Sequence, residues 1–193
     1  LVTGVQTCAL PIYKLLGNLY AEISFTPDLK LKTSMGIEMG ASRYKEFLDP
    51  FSSAWGRNQQ GQASYNTSLN YKWINEEILT YTKKIGDHSF SALAGFVASR
   101  YVGESANSSI RGFSDNKIHS MNAGTVLNKP SEDYGASTNA SVLGRVTYDY
   151  QNKYLATVNF RADGSSKFAK NNKWGYFPSA ALGWRISEED FMK

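Results

Sequence analysis

The sequence contains few residues whose types and spacing could support catalysis. Its two histidines, His88 and His119, lie in a predicted tight turn and in a long polar segment, with no cysteine or acidic residue at the spacing of a zinc site. The segments "GESANSSIRGFSD" and "DGSS" (residues 163–166) lack the spacing of a nucleophile elbow or a phosphate-binding loop, and their glycines and serines are common in turns. We therefore predict that the chain is not an enzyme and has no catalytic residue, metal site or cofactor.

Aromatic residues in the long polar segments could instead bind a ligand. Sugar rings stack on aromatic faces, and sugar hydroxyls need fixed polar partners. Four aromatic residues that lie in sequence near Asn, Gln or Asp are predicted to be loop residues that contact a ligand: Tyr44, Trp55, Tyr134 and Trp174. The alternative is that these rings pack within their own loops or against a partner protein.

Charged residues alternate with apolar residues in several segments that we predict to be strands. Arg145, Arg161 and Arg185 occupy such alternate positions, and Asp149 and Glu22 are available as their partners. Because residues of one parity share one face of a strand, these five residues are predicted to lie on a polar face and to form a structural ladder of charges.

The elements that position these residues are predicted to be strands. In "PSAALGWRIS" (residues 178–187) every second residue is large and apolar or nearly so, and similar alternation marks residues 15–25, 29–39, 142–150 and 154–160. Two more extended runs cover residues 65–85 and 89–102. In the second of these runs Phe90 and Phe96 compete with Leu93 and Val97, so its facing stays open.

The connections between the seven predicted strands alternate between short and long. Short turns are expected near residues 26–28, 86–88 and 151–153, and long polar segments cover residues 42–64, 103–137 and 163–177. In an up-and-down sheet this order places all turns at one end and all loops at the other, as in outer-membrane barrels. We therefore predict an all-β fold, an antiparallel up-and-down transmembrane β-barrel, here a partial barrel of about seven strands. The alternative is a soluble sandwich.

The barrel prediction also assigns the apolar faces. Six residues with shared alternation are predicted to face lipid, namely Leu31, Ile37, Val146, Phe160, Leu182 and Trp184. Aromatic residues are predicted to form two girdles at the membrane interfaces, with Tyr148, Tyr150 and Tyr154 in one and Trp174, Tyr176 and Phe177 in the other.

Composition excludes some classes of protein but does not separate a soluble domain from a barrel. The chain has 193 residues, 41% of them hydrophobic, with a net charge of +4 and a mean hydropathy of −0.40. No apolar stretch approaches the roughly 20 residues of a spanning helix. The Lys and Arg residues are scattered and form no basic run, which argues against nucleic acid as a partner.

The first residues of the chain are predicted to be an artefact. "VTGVQTCALPI" matches the translation of a common sequencing adapter, and we assign residues 1–12 to it and residues 13–193 to the barrel domain. The alternative is the remnant of a signal peptide, but the segment has neither a basic start nor a clean cleavage site. On this interpretation Cys8 carries no information about the redox compartment.

The segment "SVLGRVTYDYQNKYLATVNFRADGSSKFAKNNKWGYFPSAALGWRISEEDF" (residues 141–191) resembles the barrel of SusC/RagA-type TonB-linked outer-membrane proteins. The order of its parts carries the resemblance: a strand, a turn before Lys-Tyr, an Arg-x-Asp-Gly-Ser-Ser loop, a Trp-Gly-Tyr-Phe-Pro rim and a Gly-Trp-Arg-Ile strand. "LTYTKKIGDHSFSALAGF" and "NLYAEISFTPDLKLKTSMGI" also resemble upstream hairpins of that barrel.

The resemblance implies a function for the whole protein. It implies a barrel of about 22 strands with an N-terminal plug, a SusD-like surface lipoprotein as a lid, and import of oligosaccharides or peptides driven by TonB across the outer membrane of a Gram-negative bacterium. The charged ladder would then face the lumen and the plug, and the long loops would be extracellular. We expect this chain to be a fragment without plug or TonB-contacting segment. The alternative function is a surface adhesin that uses the same barrel without import.

Overall fold

The computed structural model describes residues 5–8 and 11–192 and is built almost entirely of β-strands. The described strands are β1 (Val5–Cys8), β2 (Ile12–Thr26), β3 (Leu29–Leu48), β4 (Gln62–Ile85), β5 (His88–Arg111), β6 (Val126–Leu127), β7 (Ser131–Tyr150), β8 (Tyr154–Ser165) and β9 (Trp174–Trp184). The helical elements are the short helix α1 (Ala54–Gln59) and three 3-10 turns at Met121–Ala123, Ile186–Glu188 and Asp190–Met192. None of the described helices is long and apolar enough to cross a membrane.

The strands form one sheet in which chain order and spatial order agree. The order is β1-β3-β4-β5-β7-β8-β9, with β2 also paired to β3 and β6 paired to β5. The register of β7 with β8 and of β8 with β9 is antiparallel throughout. The all-β prediction is therefore confirmed, and the seven long strands match the predicted number.

The alternation of short and long connections is also confirmed. Residues 27–28, 86–87 and 151–153 form the short turns, whereas residues 49–61, 112–130 and 166–173 form the long connections. Each short turn accepts one backbone hydrogen bond from a residue further along the chain. The carbonyls of Asp28, Asp87 and Lys153 accept from the N–H groups of Thr82, Gln151 and Arg185, respectively.

The strands extend well beyond the predicted ends, into segments that we expected to be loops. β3 continues to Leu48, β5 continues to Arg111, and β7 begins at Ser131. β4 has 24 residues, which at about 3.3 Å per residue span about 80 Å, although a tilted membrane strand needs only about 9–11 residues. The predicted ends were wrong because they were set by apolar alternation, and backbone pairing continues where the side chains no longer alternate.

The segment assigned to the adapter has a strand partner where the structure describes it. Val5–Cys8 pairs with β3, with Val5 opposite Leu48 and Cys8 opposite Lys45. Residues 5–8 therefore have a strand partner that the sequence pattern does not indicate. The pairing does not bear on their origin, because the free edge of a strand offers backbone groups to any extended segment.

The chain divides into two compact units, which we describe separately. The first unit comprises Glu38–Tyr71, Val102–Ala136 and the described residues up to Leu16. Its small core contains Phe47, Ala63 and Phe113, with Ile110, Met121 and Ala123 packed against it.

The second unit comprises Gly17–Ile37, Lys72–Tyr101 and the described residues from Ser137 onwards. Its apolar side chains are largely uncovered: Leu182 is 90% exposed, and Val146 and Val158 are 52% and 57% exposed. A soluble sandwich would bury these residues under a second sheet, and the described residues of this unit provide none. This exposure argues against the sandwich alternative.

Candidate functional site

The register of the second unit sorts its side chains onto two unlike faces. One face, which we call the apolar face, carries cross-strand rows such as Val146–Val158–Ala180, Gly144–Phe160–Pro178 and Tyr148–Ala156–Leu182. Each row joins apolar residues of three strands, so the predicted alternation of Val146, Phe160 and Leu182 is confirmed.

The opposite face, which we call the polar face, carries the rows Arg145–Asn159–Ser179, Thr147–Thr157–Ala181 and Leu143–Arg161–Phe177. Arg145 Nε donates to Asn159 Oδ1 at 2.7 Å, and Asn159 Nδ2 donates to Ser179 Oγ at 3.2 Å. A chain of hydrogen bonds thus crosses three strands on this face.

The predicted partners of the arginines were wrong. Arg145 bonds to Asn159 rather than to Asp149, and Arg161 Nε bonds to Asp163 at 2.8 Å. Glu22 lies 3.5 Å from Lys30 Nζ.

The remaining two charged residues lie at a short turn. Asp149 Oδ1 accepts from the Asn152 backbone N–H at 2.8 Å, and Arg185, which follows the end of β9, donates to the Asn152 carbonyl at 3.0 Å. The five residues therefore form separate local contacts instead of one ladder.

Aromatic residues border the apolar face at both ends. At one end Tyr150, Tyr154 and Trp184 form a single cross-strand row, and His88 Nδ1 lies 2.7 Å from the Tyr148 hydroxyl. At the other end Trp174 packs against Gly164.

The separation of Trp174 and Trp184, at the two ends of β9, is close to the height of the apolar band of an outer-membrane barrel. Trp174 and Trp184 are ten residues apart in β9, which corresponds to about 33 Å along the strand. A strand tilt of about 40° reduces this to about 25 Å, the height of the apolar band of outer-membrane barrels.

The facing of β5, which the sequence left open, is settled by two contacts. The Phe90 ring lies 4.8 Å from the Tyr148 ring, on the apolar face. The open side of Gly95 meets the side chains of Ile78 and Leu143, and Leu143 belongs to the polar face. Phe90 and Phe96 therefore share the apolar face, and Leu93 and Val97 lie on the other.

A hydrogen-bonded cluster surrounds Glu189 beside the turn at residues 151–153. Its carboxylate accepts from the Tyr154 hydroxyl at 2.7 Å, from Trp184 Nε1 at 3.0 Å and from Lys153 Nζ at 3.2 Å. These donors, Tyr154 foremost, lower the pKa of Glu189, and the hydrogen bond to Glu189 raises the pKa of Lys153. The cluster fastens the 3-10 turns that follow β9 to the preceding hairpin.

In the first unit two long connections, residues 49–61 and 112–130, are docked onto each other, and we call them the paired loops. The Phe113 N–H donates to the Gln60 carbonyl at 2.6 Å, and Asn116 Nδ2 donates to Asp49 Oδ2 at 3.1 Å. The N–H of Phe51 and the Asn116 amide both lower the pKa of Asp49. Ser53 caps α1 by accepting from the Gly56 N–H at 2.9 Å.

A pocket of about 390 Å³, which we call the loop pocket, opens between the ends of β3 and β4 and the second of the paired loops. The His119 ring stacks on Phe47 at 4.1 Å, and Lys45 Nζ lies 5.6 Å from the centre of the Tyr65 ring. The lining residues are Lys45, Glu46, Phe47, Ala63, Ser64, Tyr65, His119, Ser120 and Met121. The pocket thus combines aromatic surfaces with hydroxyl groups and charges.

Comparison with known proteins identifies the family. The chain is 34% identical over 178 residues to a TonB-dependent receptor of Formosa agariphila, with 91% of this chain and 18% of that protein covered. It is 33% identical over 175 residues to the TonB-dependent receptor SusC of Bacteroides thetaiotaomicron, with 88% and 16% covered. The chain belongs to the SusC/RagA-type TonB-dependent receptors. It spans less than a fifth of the length of these relatives, and no family profile matches it.

Solved structures of TonB-dependent receptors share the fold of this segment. The RagAB peptide importer in its open-open state superposes with a TM-score of 0.88 at 20% identity, with 98% of this chain and 21% of that chain covered. BauA, the ferric preacinetobactin receptor of Acinetobacter baumannii, gives a TM-score of 0.51 at 14% identity, with 90% and 27% covered. The sheet is therefore part of a SusC/RagA-type barrel, and proteins of this family are outer-membrane barrels.

The predicted ligand residues of this SusC/RagA-type segment are not all in loops. Tyr44 lies in β3, Tyr134 lies in β7, and Trp174 is the first residue of β9. Only Trp55, in α1, belongs to a long connection, and its side chain is 62% exposed.

Their surroundings differ as well. Trp174 shares the apolar face through the row Ala140–Gly164–Trp174, whereas Phe177, predicted beside it in the girdle, pairs with Arg161 on the polar face. Tyr134 borders a second cleft, of about 650 Å³, together with Glu104, Glu132 and Leu69.

The residues of the loop pocket were missed in this receptor segment. The sequence pattern places Tyr65 at a strand end and places Phe47 and His119 in long polar segments. Their approach depends on how the paired loops dock, which periodicity does not encode. The available signal was the presence of aromatic and His residues within or directly beside the long polar segments.

Proposed function

We propose that the complete receptor imports oligosaccharides across the outer membrane and that this segment contributes barrel wall and three outer loops. The observation that carries the proposal is the loop pocket. Its volume of about 390 Å³ lies within the range of small-molecule sites, about 300–1,000 Å³. Peptides are the alternative substrate.

The lining of the loop pocket suits a sugar better than an apolar ligand. Tyr65 and His119 offer ring faces for stacking, and the hydroxyls of Ser64 and Ser120 lie among them with the charges of Lys45 and Glu46. Pyranose rings need this combination of aromatic surface and polar partners. Trp55 and Tyr44 remain proposed ligand contacts outside the pocket, and Tyr134 a proposed contact in its own cleft.

The proposal assigns one face of the sheet to the membrane and the other to the interior of the barrel. We propose that the apolar face contacts lipid and that the polar face, with Arg145, Asp149 and Arg161, lines the lumen. Glu22 and Arg185 are proposed to face the lumen as well. The long connections would then be extracellular. The aromatic residues Trp174 and Trp184, about 25 Å apart across the sheet, support contact of the apolar face with lipid.

The proposed partners are TonB, reached through another part of the receptor, and a SusD-like surface lipoprotein that covers the outer loops. Family membership supports both. The RagAB structure is named a peptide importer, which keeps peptides open as cargo, but its 20% identity carries the fold alone.

Growth of the source bacterium tests the proposal. The intact gene is deleted and then restored as wild type, Tyr65→Ala, Tyr65→Phe or Phe51→Ala, and growth and uptake are measured on a panel of glycans and peptides. Phe51 is exposed in the same loop region and does not line the pocket, so it serves as the control.

We expect deletion to abolish growth on at least one glycan. Tyr65→Ala should reduce uptake of that glycan about tenfold, while Tyr65→Phe and Phe51→Ala retain it, because the ring face is the binding element. Growth loss on peptides alone would assign peptides as cargo. Normal growth on every source, with the receptor expressed and no paralogue present, would favour the adhesin alternative.

A further inference from the structure

The connection between β8 and β9 carries an unusual combination of charges and apolar surface. Residues 166–173, "SKFAKNNK", contain Lys167, Lys170 and Lys173 and no acidic residue, and we call them the lysine loop. None of these three lysines forms an ion pair with any residue that the structure describes. Phe168, between the lysines, is 60% exposed.

The lysine loop is folded rather than extended. The Ser165 N–H donates to the Lys173 carbonyl at 3.0 Å, and the Asn172 N–H donates to the Ala169 carbonyl at 2.9 Å. Ser166 and Thr138 join the loop to β7, because the Ser166 N–H donates to the Thr138 carbonyl at 2.9 Å and Ser166 Oγ accepts from the Thr138 N–H at 2.8 Å. The three ammonium groups are thus attached to an ordered backbone.

The position of the lysine loop is set by the residue that follows it. Trp174 packs on Gly164 on the apolar face, about 25 Å across the sheet from Trp184 in the aromatic row at the other end of β9. In the proposed membrane orientation, a loop immediately beyond Trp174 lies at the level of the lipid head groups.

The lipid groups at that level include anionic phosphates. Lysine side chains beside an apolar surface extend toward phosphates, and exposed aromatic residues between basic residues are typical of segments that bind a lipid surface. Phe168 is exposed between lysines that have no acidic partner among the described residues, which is the pattern of such a segment.

We propose that the lysine loop binds the phosphate groups of anionic lipids in the leaflet that faces the long connections, with Phe168 inserted among the acyl chains at the head-group boundary. The proposal rests on the membrane orientation given under the proposed function and does not depend on the imported substrate.

Lipid binding to the complete receptor tests the proposal. Delipidated receptor in a neutral detergent is titrated with phosphatidylglycerol or with phosphatidylcholine, and bound lipid is measured by native mass spectrometry. The variants are Lys167→Gln/Lys170→Gln/Lys173→Gln, the same three positions changed to Arg, and Phe168→Ala. The control is Lys117→Gln/Lys129→Gln, which removes two exposed lysines from another long connection.

We expect wild-type receptor to bind phosphatidylglycerol in preference to phosphatidylcholine. The Gln variant should lose at least about tenfold in affinity, since each Lys near an anionic surface contributes severalfold, while the Arg variant and the control retain binding. Phe168→Ala should weaken binding of phosphatidylglycerol without changing its dependence on salt.

Three outcomes would overturn the proposal: equal affinity of wild type and the Gln variant for phosphatidylglycerol, no preference over phosphatidylcholine, or full displacement of the lipid by millimolar inorganic phosphate, which would indicate a site for free anions. Heat-modifiable migration in detergent gels verifies that each variant is folded. Because lipid binding and growth are measured separately, failure of this proposal leaves the import proposal intact, and the reverse also holds.

Discussion

Leu182 and Ala181 are neighbours in β9 whose side chains lie on opposite faces of the sheet. Leu182 belongs to the row Tyr148–Ala156–Leu182 on the apolar face, and Ala181 belongs to the row Thr147–Thr157–Ala181 on the polar face. Because the two residues are adjacent in the strand, they lie at nearly the same height along it. The pair therefore isolates the effect of facing from the effect of depth.

On the proposed orientation, with the apolar face toward lipid and the polar face toward the lumen, Leu182→Arg should destabilise the complete receptor by about 2–4 kcal/mol, because the charge would lie in lipid near the middle of the apolar band. Ala181→Arg should cost much less, since its side chain would enter the polar lumen. Urea unfolding of the receptor in lipid vesicles measures both free energies. Equal costs at the two positions would refute the assignment of the faces.

Glu189 gives a pH-dependent contribution to stability. Its pKa is lowered by Tyr154, Trp184 and Lys153, so its stabilising contribution is complete above the ordinary glutamate value of 4.5 and is lost as the pH falls through its lower folded-state pKa. Wild-type stability should therefore decline more steeply below about pH 4.5 than that of Glu189→Gln, measured as the urea midpoint between pH 3 and 7. Parallel curves for the two proteins would contradict the role of this cluster.

The paired loops depend on the close packing of Gly56, in α1, against the backbone of Asp49. A Cβ atom at Gly56 would overlap the Asp49 carbonyl oxygen and lie 3.0 Å from Ser53 Oγ, the capping atom of the helix. Asp49 also holds Asn116 of the other loop. One methyl group at Gly56 would therefore disturb the cap and the contact between the loops together.

Gly56→Ala should loosen the paired loops by about 1–3 kcal/mol, because backbone must move to admit the methyl group. Limited proteolysis should then cleave residues 49–61 at least about tenfold faster than in wild type. Gly135→Ala is the control, since a Cβ atom at Gly135 meets no atom within 4 Å. Unchanged cleavage in Gly56→Ala would show that the loop does not need this contact.

The elements show where sequence patterns suffice and where they fail. Alternation predicted the apolar faces of β7, β8 and β9 because successive residues of a strand point to opposite faces of the sheet. It failed for the outer part of β5, since the residues between Val102 and Arg111 are mostly polar and do not alternate with apolar ones. The pairing of Arg145 with Asn159 could be predicted from the sequence. The short turn at residues 151–153 places Tyr150 opposite Tyr154, and this pair fixes the register of all the other pairs between β7 and β8. Docking of the paired loops follows from tertiary contacts and has no periodic signal.

At the scale of the whole molecule, the first residues of the chain invite a separate test. We predict that residues 1–12 are translated adapter and that their deletion leaves residues 13–26 of β2 and β3–β9 unchanged apart from the end of β3 that pairs with Val5–Cys8, because the pairing of the later strands with one another does not involve residues 1–12. DNA sequenced independently across the junction is the direct measurement. If the same codons continue into upstream coding sequence, the assignment is wrong and Cys8 belongs to the protein.

The agreement between chain order and spatial order has a kinetic consequence. The turns at residues 27–28, 86–87 and 151–153 close hairpins at small entropic cost, whereas the connections at residues 49–61 and 112–130 close much longer loops. Hairpins β2–β3, β4–β5 and β7–β8 can therefore form first, each starting at its turn and fixing its own register. The sheet can then assemble by the joining of preformed hairpins, which adds two strands at each step.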